Sequence, residues 1–117
     1  MKCLLIGGYP KGHERPFDSR TLSGQRLRRM VEEVGLDASY LDLWTTEQDE
    51  RKGEIDPFII SIIKHHQHNG VQCIALGRWV QECLVSHGLA LRYLPHPASR
   101  RRVDREKLRT GLERFSK

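Results

Sequence analysis

Short apolar runs alternate with segments of helical periodicity along this chain. The runs are typical of strands buried in a sheet, because each contains several apolar or alternating residues and is bounded by glycine, proline or polar residues. The chain contains four of them. They predict strands at Cys3–Ile6, Ala38–Trp44, Val71–Leu76 and Leu91–Leu94.

Each predicted strand is followed by apolar residues at helical spacing. Helix starts are indicated by N-cap residues or by a turn glycine, and helix ends by glycine. The predicted starts are Ser23, Asp56 before Pro57, Gly77 and Asp104. In the last helix the spacing turns Leu108, Leu112 and Phe115 inward. The segments 11–22 and 45–54 are too polar for regular structure and are predicted to be loops.

The resulting order, β-α-β-α-β-α-β-α, predicts the α/β class with helices on both faces of a parallel sheet. We therefore expect a three-layer αβα sandwich with a four-stranded, mainly parallel sheet, in a single domain over residues 1–117. No apolar run approaches the roughly 18 residues that a membrane span requires. The start of the chain does not have the pattern of a secretory signal. A cytoplasmic protein without a membrane partner is the expectation.

Composition adds three indications, about a partner, the cellular compartment and metal binding. A net charge of +5 favours a polyanionic partner, since Lys and Arg neutralise phosphates, although many basic domains bind no nucleic acid. The three cysteines, Cys3, Cys73 and Cys83, show no CxxC spacing, and we expect free, buried thiols in a reducing compartment. His65, His66 and His68 form no complete ligand set, so no metal is predicted.

The segment from Lys2 to Met30 contains the first group of candidate site residues. Its loop follows a buried strand, and ligands of open α/β sheets bind at the carboxyl ends of the strands. Lys11, Arg15 and the helix start at Ser23 are suited to phosphate binding. Phe17 either stacks on a base or anchors the loop in the core. The spacing matches neither a P-loop nor a dinucleotide fingerprint, so ATP and NAD are not expected.

The segment from Leu94 to Arg102 contains the second group. Pro95 and Pro97 hold His96 in an extended segment after the last strand, where it can donate to developing charge or act in acid–base chemistry; the alternative is a turn histidine without a role. Ser99 and the arginines that follow, Arg100 and Arg101, are either phosphate ligands or a solvated basic face.

Both segments resemble motifs of the uracil-DNA glycosylase superfamily. Gly7-x-x-Pro10, followed by Arg15-Pro16-Phe17 and Ser23-Gly24-x-x-Leu27, is similar to the first motif, and Leu94-Pro95-His96-Pro97-Ala98-Ser99 to the last, which carries an active-site histidine. The segment from Ile74 to Gly88 resembles the central strand, turn and helix between them. In order along the chain, these segments cover most of its length.

The resemblance implies a uracil-DNA glycosylase-like fold whose cleft holds a base flipped out of DNA. His96 would stabilise charge on the base carbonyl as the glycosidic bond breaks, Phe17 would stack on the base, and the backbone of Gly8 and Tyr9 would line the pocket. Neither metal nor other cofactor is implied, and a monomer is expected. The residues assigned to DNA phosphates are Lys11, Arg15, Ser23, Ser99, Arg100 and Arg101.

Two positions depart from the family pattern. An acidic residue or asparagine commonly stands between the glycine and proline of the first motif, where this chain has Gly8 and Tyr9. Glu14 or Asp18 would then position the attacking water. The pocket asparagine expected after the second strand is replaced by Asp42 or Thr45.

Three hypotheses about function follow. The first is a metal-independent DNA glycosylase, and the second is a catalytically inactive nucleic-acid or nucleotide binding module of the same fold. The third is a small α/β protein that acts on a free nucleotide or another anionic metabolite. Substitution of His96 by alanine separates the first two hypotheses, because it should abolish turnover in an enzyme while leaving phosphate-driven binding largely intact. A steep salt dependence of DNA binding separates both from the third.

Overall fold

A computed structural model of the protein describes residues 2–9 and 22–116. These residues form four strands and five helices. In chain order they are β1 (Lys2–Gly7), α1 (Leu22–Val34), β2 (Asp37–Asp42), α2 (Glu47–Lys52), α3 (Pro57–His68), β3 (Gln72–Leu76), α4 (Arg78–Ser86), β4 (Arg92–Leu94) and α5 (Arg102–Ser116). None of the helices in these two ranges is long and apolar enough to cross a lipid bilayer.

The sheet has the strand order β2-β1-β3-β4, and all its neighbouring strands are parallel. The predicted α/β class is thus confirmed. From β1 the chain moves outward to β2, returns past β1 to β3, and continues in the same direction to β4. The direction of winding reverses between β1 and β3, and the carboxyl ends of these two strands form the switch point at which open α/β sheets bind ligands.

Helices cover both faces of the sheet, as the sequence predicted. On one face α1 and α5 pack against a buried cluster that includes Leu5, Leu27 and Leu108. On the other face α3 and α4 pack against a cluster that includes Ile6, Ile63 and Leu84. The strands alternate between these clusters because successive side chains point to opposite faces. The three layers follow directly from this alternation.

The caps of α3 confirm the start predicted from Asp56 and Pro57. The Asp56 carboxylate accepts a hydrogen bond of 2.8 Å from the Phe58 amide, and Pro57 occupies the first turn, where its missing N–H costs nothing. After the last residue of α1, Gly35 has a φ of 71°, a conformation that favours glycine. These local signals explain why the start of α3 and the end of α1 lie where the sequence predicted them.

The segment 45–54, predicted to be a loop, contains the short helix α2. Thr46 caps this helix by accepting from the Asp49 amide at 3.1 Å, and Gly53 ends it with a φ of 73°. Acidic residues occupy its first turn and basic residues its last, as the helix dipole favours. The prediction failed because α2 has no buried residue, and hence no apolar periodicity.

Two predicted N-caps were also wrong. Helix α1 begins at Leu22, so Ser23 lies within its first turn. Helix α5 begins at Arg102, two residues before Asp104, whose carboxylate accepts a 2.7 Å hydrogen bond from the Ser99 hydroxyl. An acidic residue in the first turn is stabilised by the helix dipole without capping the helix, and the sequence alone does not separate the two placements.

Helix α5 approaches β4 through Gly111, where an added methyl group would overlap the side chain of Leu94. We expect Gly111→Ala to lower the free energy of unfolding by about 1–2 kcal/mol in urea titrations, because overpacking outweighs the gain in helix propensity. Thr110→Ala, at an exposed neighbouring position, is the control. The destabilisation should shrink in a Leu94→Ala background; an equal destabilisation there would mean that the two side chains do not compete for space.

Candidate active site

The carboxyl ends of β3 and β4 are joined at Gly77. Its amide donates to the Leu94 carbonyl at 2.9 Å, and a methyl group added at Gly77 would lie 3.4 Å from the imidazole carbon Cδ2 of His96. His96 therefore stands directly beside the turn that starts α4. This places its ring at the carboxyl end of β3, one of the two strands that form the switch point.

Hydrogen bonding fixes the tautomer of neutral His96. The Ala98 amide donates to Nδ1 at 2.9 Å, so in the neutral ring the proton is on Nε2. The neighbouring Pro97 is buried, whereas the histidine itself is exposed. The neutral ring therefore carries its N–H on Nε2, at the carboxyl edge of the sheet.

The segment around His96 contacts α1. The Arg26 guanidinium donates to the Pro97 carbonyl at 3.0 Å and to the Ser99 carbonyl at 3.3 Å. These contacts join positions that are 71 and 73 residues apart in the chain. Helix α1 and the segment around His96 therefore form one continuous surface.

Glu50 of α2 lies at the end of β1. Its Oε2 atom accepts a 2.8 Å hydrogen bond from the Tyr9 amide, and it would be 2.6 Å from a methyl group at Gly8. Trp44 lies 3.2 Å from the same methyl position. The space beside Gly8 is therefore filled by a carboxylate from a distant element. The ring of Tyr9 is half-buried against the cluster beneath α3 and α4.

Two indole groups hold α2 in place. Trp79 donates from Nε1 to the Glu50 carbonyl at 2.7 Å, and Trp44 donates to the Glu54 carbonyl at the same distance. Trp79 also packs against Gly53, where an added methyl group would lie 3.1 Å from the ring. The sequence had assigned α2 to a solvated loop and so missed Glu50. The capping residues Thr46 and Gly53 were the signals that could have revealed it.

Asp42 ends β2 and pairs with Gly7 of β1. Burial raises the pKa of its carboxyl to about 7. Near neutral pH a large fraction is thus protonated, and a protonated carboxyl offers one donor and one acceptor, as an asparagine amide does. Thr45 is exposed in the turn before α2. These are the two residues that the sequence proposed in place of a pocket asparagine.

The arginines at the approach to α5 are exposed. Arg100 and Arg101 lie beside Ser99, whose hydroxyl donates to Asp104 and accepts from the Arg101 amide at 3.3 Å. Ser23 lies in the first turn of α1. The other candidates of the opening loop are outside the described residues. They are Lys11, Glu14, Arg15, Phe17 and Asp18.

The cysteines are free and buried, and burial raises the pKa of each thiol, that of Cys73 to about 11. Thiols that stay protonated are poor nucleophiles and poor metal ligands. Within residues 2–9 and 22–116, no three His, Cys, Asp or Glu side chains are grouped so that they could hold a metal ion.

A separate groove of about 310 Å³ lies at the opposite, amino edge of the sheet. It is lined by the end of α3, the start of β3 and the segment leading into β4. Neither His96 nor Glu50 lines it. We place the candidate site at the carboxyl edge because His96 stands beside the end of β3 and the Glu50 carboxylate stands beside the end of β1, the two strands that form the switch point.

The contact between Gly8 and Glu50 predicts a coupled pair of substitutions. Gly8→Ala should lower the free energy of unfolding by about 1–3 kcal/mol, because the new methyl group collides with the carboxylate and with Trp44. Adding Glu50→Ala should recover about 1 kcal/mol of that decrease in a double-mutant cycle measured by urea unfolding. Because Gly8 does not have a positive φ, its substitution by alanine introduces no left-handed backbone strain, and the decrease reports the collision. Additive effects of the pair would contradict the contact.

Comparison with protein-family models, with curated proteins and with solved structures yields no match to this chain. Its function is therefore inferred from the site residues and from the sequence motifs.

Proposed function

We propose that the protein binds DNA, accepts one extruded base in the cleft at the carboxyl edge of the sheet, and hydrolyses its N-glycosidic bond. The observation that carries this proposal is the imidazole of His96, which stands beside Gly77 at the carboxyl end of β3 and whose neutral form carries its proton on Nε2. The proposal joins this geometry to the motifs that resemble those of the uracil-DNA glycosylase superfamily.

A donor at this place has a clear chemical use. Negative charge develops on a base carbonyl as the bond between the base nitrogen and C1′ breaks. A fixed hydrogen-bond donor stabilises that charge more than it stabilises the intact substrate, which lowers the barrier. Since Nδ1 is engaged by the Ala98 amide, His96 serves as this donor without changing its tautomer.

The base edge is read by groups at the ends of β1 and β2. The backbone of Gly8 and Tyr9 lines the pocket, and Asp42 in its protonated form supplies a donor and an acceptor. Thr45 adds a hydroxyl at the rim. Because a protonated carboxyl resembles an amide in its hydrogen bonding, Asp42 takes the part of a pocket asparagine at or below neutral pH.

The basic residues bind the DNA backbone. Arg100 and Arg101 are the exposed pair nearest His96 along the chain, and the net charge of +5 provides general attraction. We propose that Ser23, Ser99, Lys11 and Arg15 complete the phosphate contacts. The free thiols suit a reducing cytoplasm, where the protein would act as a monomer.

Replacing Arg100 and Arg101 with alanine should weaken binding to a DNA duplex. The slope of log K against log salt should fall by about 1 for each phosphate that the variant no longer neutralises. Titrations of a labelled oligonucleotide by fluorescence anisotropy at several salt concentrations measure this. Lys64→Ala, an exposed substitution on α3, should leave the slope unchanged. An unchanged slope for the arginine variant would remove these residues from the DNA interface.

The enzymatic part is tested with oligonucleotides that contain uracil, mismatched or modified bases. Released base is followed by alkaline cleavage of the abasic strand, in the presence of EDTA, because neither metal nor cofactor is proposed. We expect release from at least one of these substrates. Binding without release from any of them would refute hydrolysis and favour the binding module. Equal binding of a mononucleotide and a long duplex would favour a metabolite-binding protein instead.

A further inference from the structure

We propose that Glu50, carried by α2, is the general base of this site and removes a proton from the attacking water. The inference rests on the proposed glycosylase function. One observation supports it: the Glu50 carboxylate, from α2, occupies the space that a side chain at Gly8 would fill at the end of β1.

The sequence contains no acid at the two positions between Gly7 and Pro10. In the folded chain an acid nevertheless reaches this place. A methyl group at Gly8 would be 2.6 Å from Glu50 Oε2, so the carboxylate stands where a side chain at that position would begin. Because glycine has no side chain, Gly8 leaves room at this place for a carboxylate from another element.

The position of Glu50 is fixed at both its backbone and its carboxylate. Trp79 binds the Glu50 carbonyl at 2.7 Å, and the Tyr9 amide binds Oε2 at 2.8 Å. A carboxylate has about four acceptor positions. The bond from Tyr9 uses one of them and orients the group, which leaves acceptor capacity for a water molecule.

Asp42 is less suited to the same task. Along β2 its side chain shares the orientation of Ala38 and Tyr40, which pack on the face covered by α1 and α5. Glu50 arrives from the opposite face and touches the end of β1 itself. The two acids therefore flank the β1 end from different sides, one suited to reading the base and the other to activating water.

The proposed step balances as a hydrolysis. The water oxygen forms a bond to C1′ while the bond from C1′ to the base nitrogen breaks, and its electron pair leaves with the base. The Glu50 carboxylate takes one proton from the water. That proton then passes to the departing base, which regenerates the carboxylate. His96 stabilises the negative charge on the base during the step.

The test compares Glu50→Gln with wild type in single-turnover base release and in DNA binding. Glutamine keeps an oxygen that can accept from the Tyr9 amide but lacks the basic carboxylate. We expect the release rate to fall by about 10²–10³-fold, with the Kd for DNA within about threefold and an unchanged melting temperature. Added formate should partly restore the rate of Glu50→Ala, because it supplies a carboxylate to the space opened by the substitution.

Glu47→Gln is the matched control, since Glu47 lies on the same helix and forms an exposed ion pair with Arg51. It should retain the wild-type rate. If Glu50→Gln also retains that rate, Glu50 only tethers the turn and the inference fails, while the glycosylase function stands. If wild type binds DNA but releases no base, the proposed hydrolysis fails, and the role of Glu50 as its base fails with it.

Discussion

Replacing His96 with alanine is expected to slow base release by about 10²–10³-fold. The expected effect is that of removing one preorganised donor to the charge that forms in the transition state. Binding of undamaged DNA should change by less than about threefold, because the proposed phosphate contacts are made by other residues. Single-turnover release and anisotropy titrations, carried out on the same protein preparation, measure the two quantities separately.

Two substitutions serve as controls for this experiment. His68→Ala removes an exposed histidine at the end of α3, on a different element, and should have no effect on either quantity. Ala98→Gly keeps the amide that fixes Nδ1 and should also retain activity. If His96→Ala released base at the wild-type rate, His96 would be a turn residue without a chemical role.

The second large effect concerns stability and pH. Burial raises the pKa of Asp42 from 3.8 in the unfolded chain to about 7 in the folded protein. Between these values the folded state binds more protons than the unfolded state, so this group lowers stability as pH rises from about 4 to 7. We expect Asp42→Asn to raise the free energy of unfolding at pH 8 by about 1–2 kcal/mol, less than the full shift implies because solvent partly screens the carboxyl.

Urea titrations at pH 4 and pH 8 measure this effect as the difference in the free energy of unfolding between Asp42→Asn and wild type. At pH 4 the difference should be close to zero, since the carboxyl is largely protonated in the folded state. Asp37→Asn, at the exposed start of the same strand, should give little difference at either pH. DNA binding at pH 8 should persist in Asp42→Asn, because the amide keeps a donor and an acceptor. A stabilisation as large at pH 4 as at pH 8 would show that the carboxyl does not titrate as described.

Local signals in the sequence were sufficient for most of the fold. The apolar run around Leu4 and the cap formed by Asp56 are readable without tertiary information, because they reflect burial and backbone bonding within a few residues. The inward positions Leu108 and Leu112 are fully buried, as their spacing predicted. Parallel pairing followed from the alternation of strands and helices, since parallel neighbours require crossovers.

The sequence alone predicted less well which residues come together at the candidate site. The hydrogen bond between Tyr9 and Glu50 joins residues 41 positions apart, and no periodicity specifies such a contact. Helix α2 has caps but no buried face, so apolar patterning could not find it. The elevated pKa of Asp42 depends on how deeply the end of β2 is covered, which only the packed structure defines. His96 was predicted as a candidate because its two flanking prolines are visible in the sequence.

The short strand β4 has a consequence for local unfolding around His96. It has three residues, lies at the margin of the sheet and pairs only with β3 within the described part of the chain. Local opening requires least energy at such margins. Detachment of β4 would carry His96 away from Gly77 while β1 and its carboxylate neighbour stayed in register. The packing of Gly111 on Leu94 and the Arg26 hydrogen bonds therefore keep β4 and the His96 segment in place. Hydrogen exchange of the β4 amides would detect the detachment of β4 before the central strands unfold.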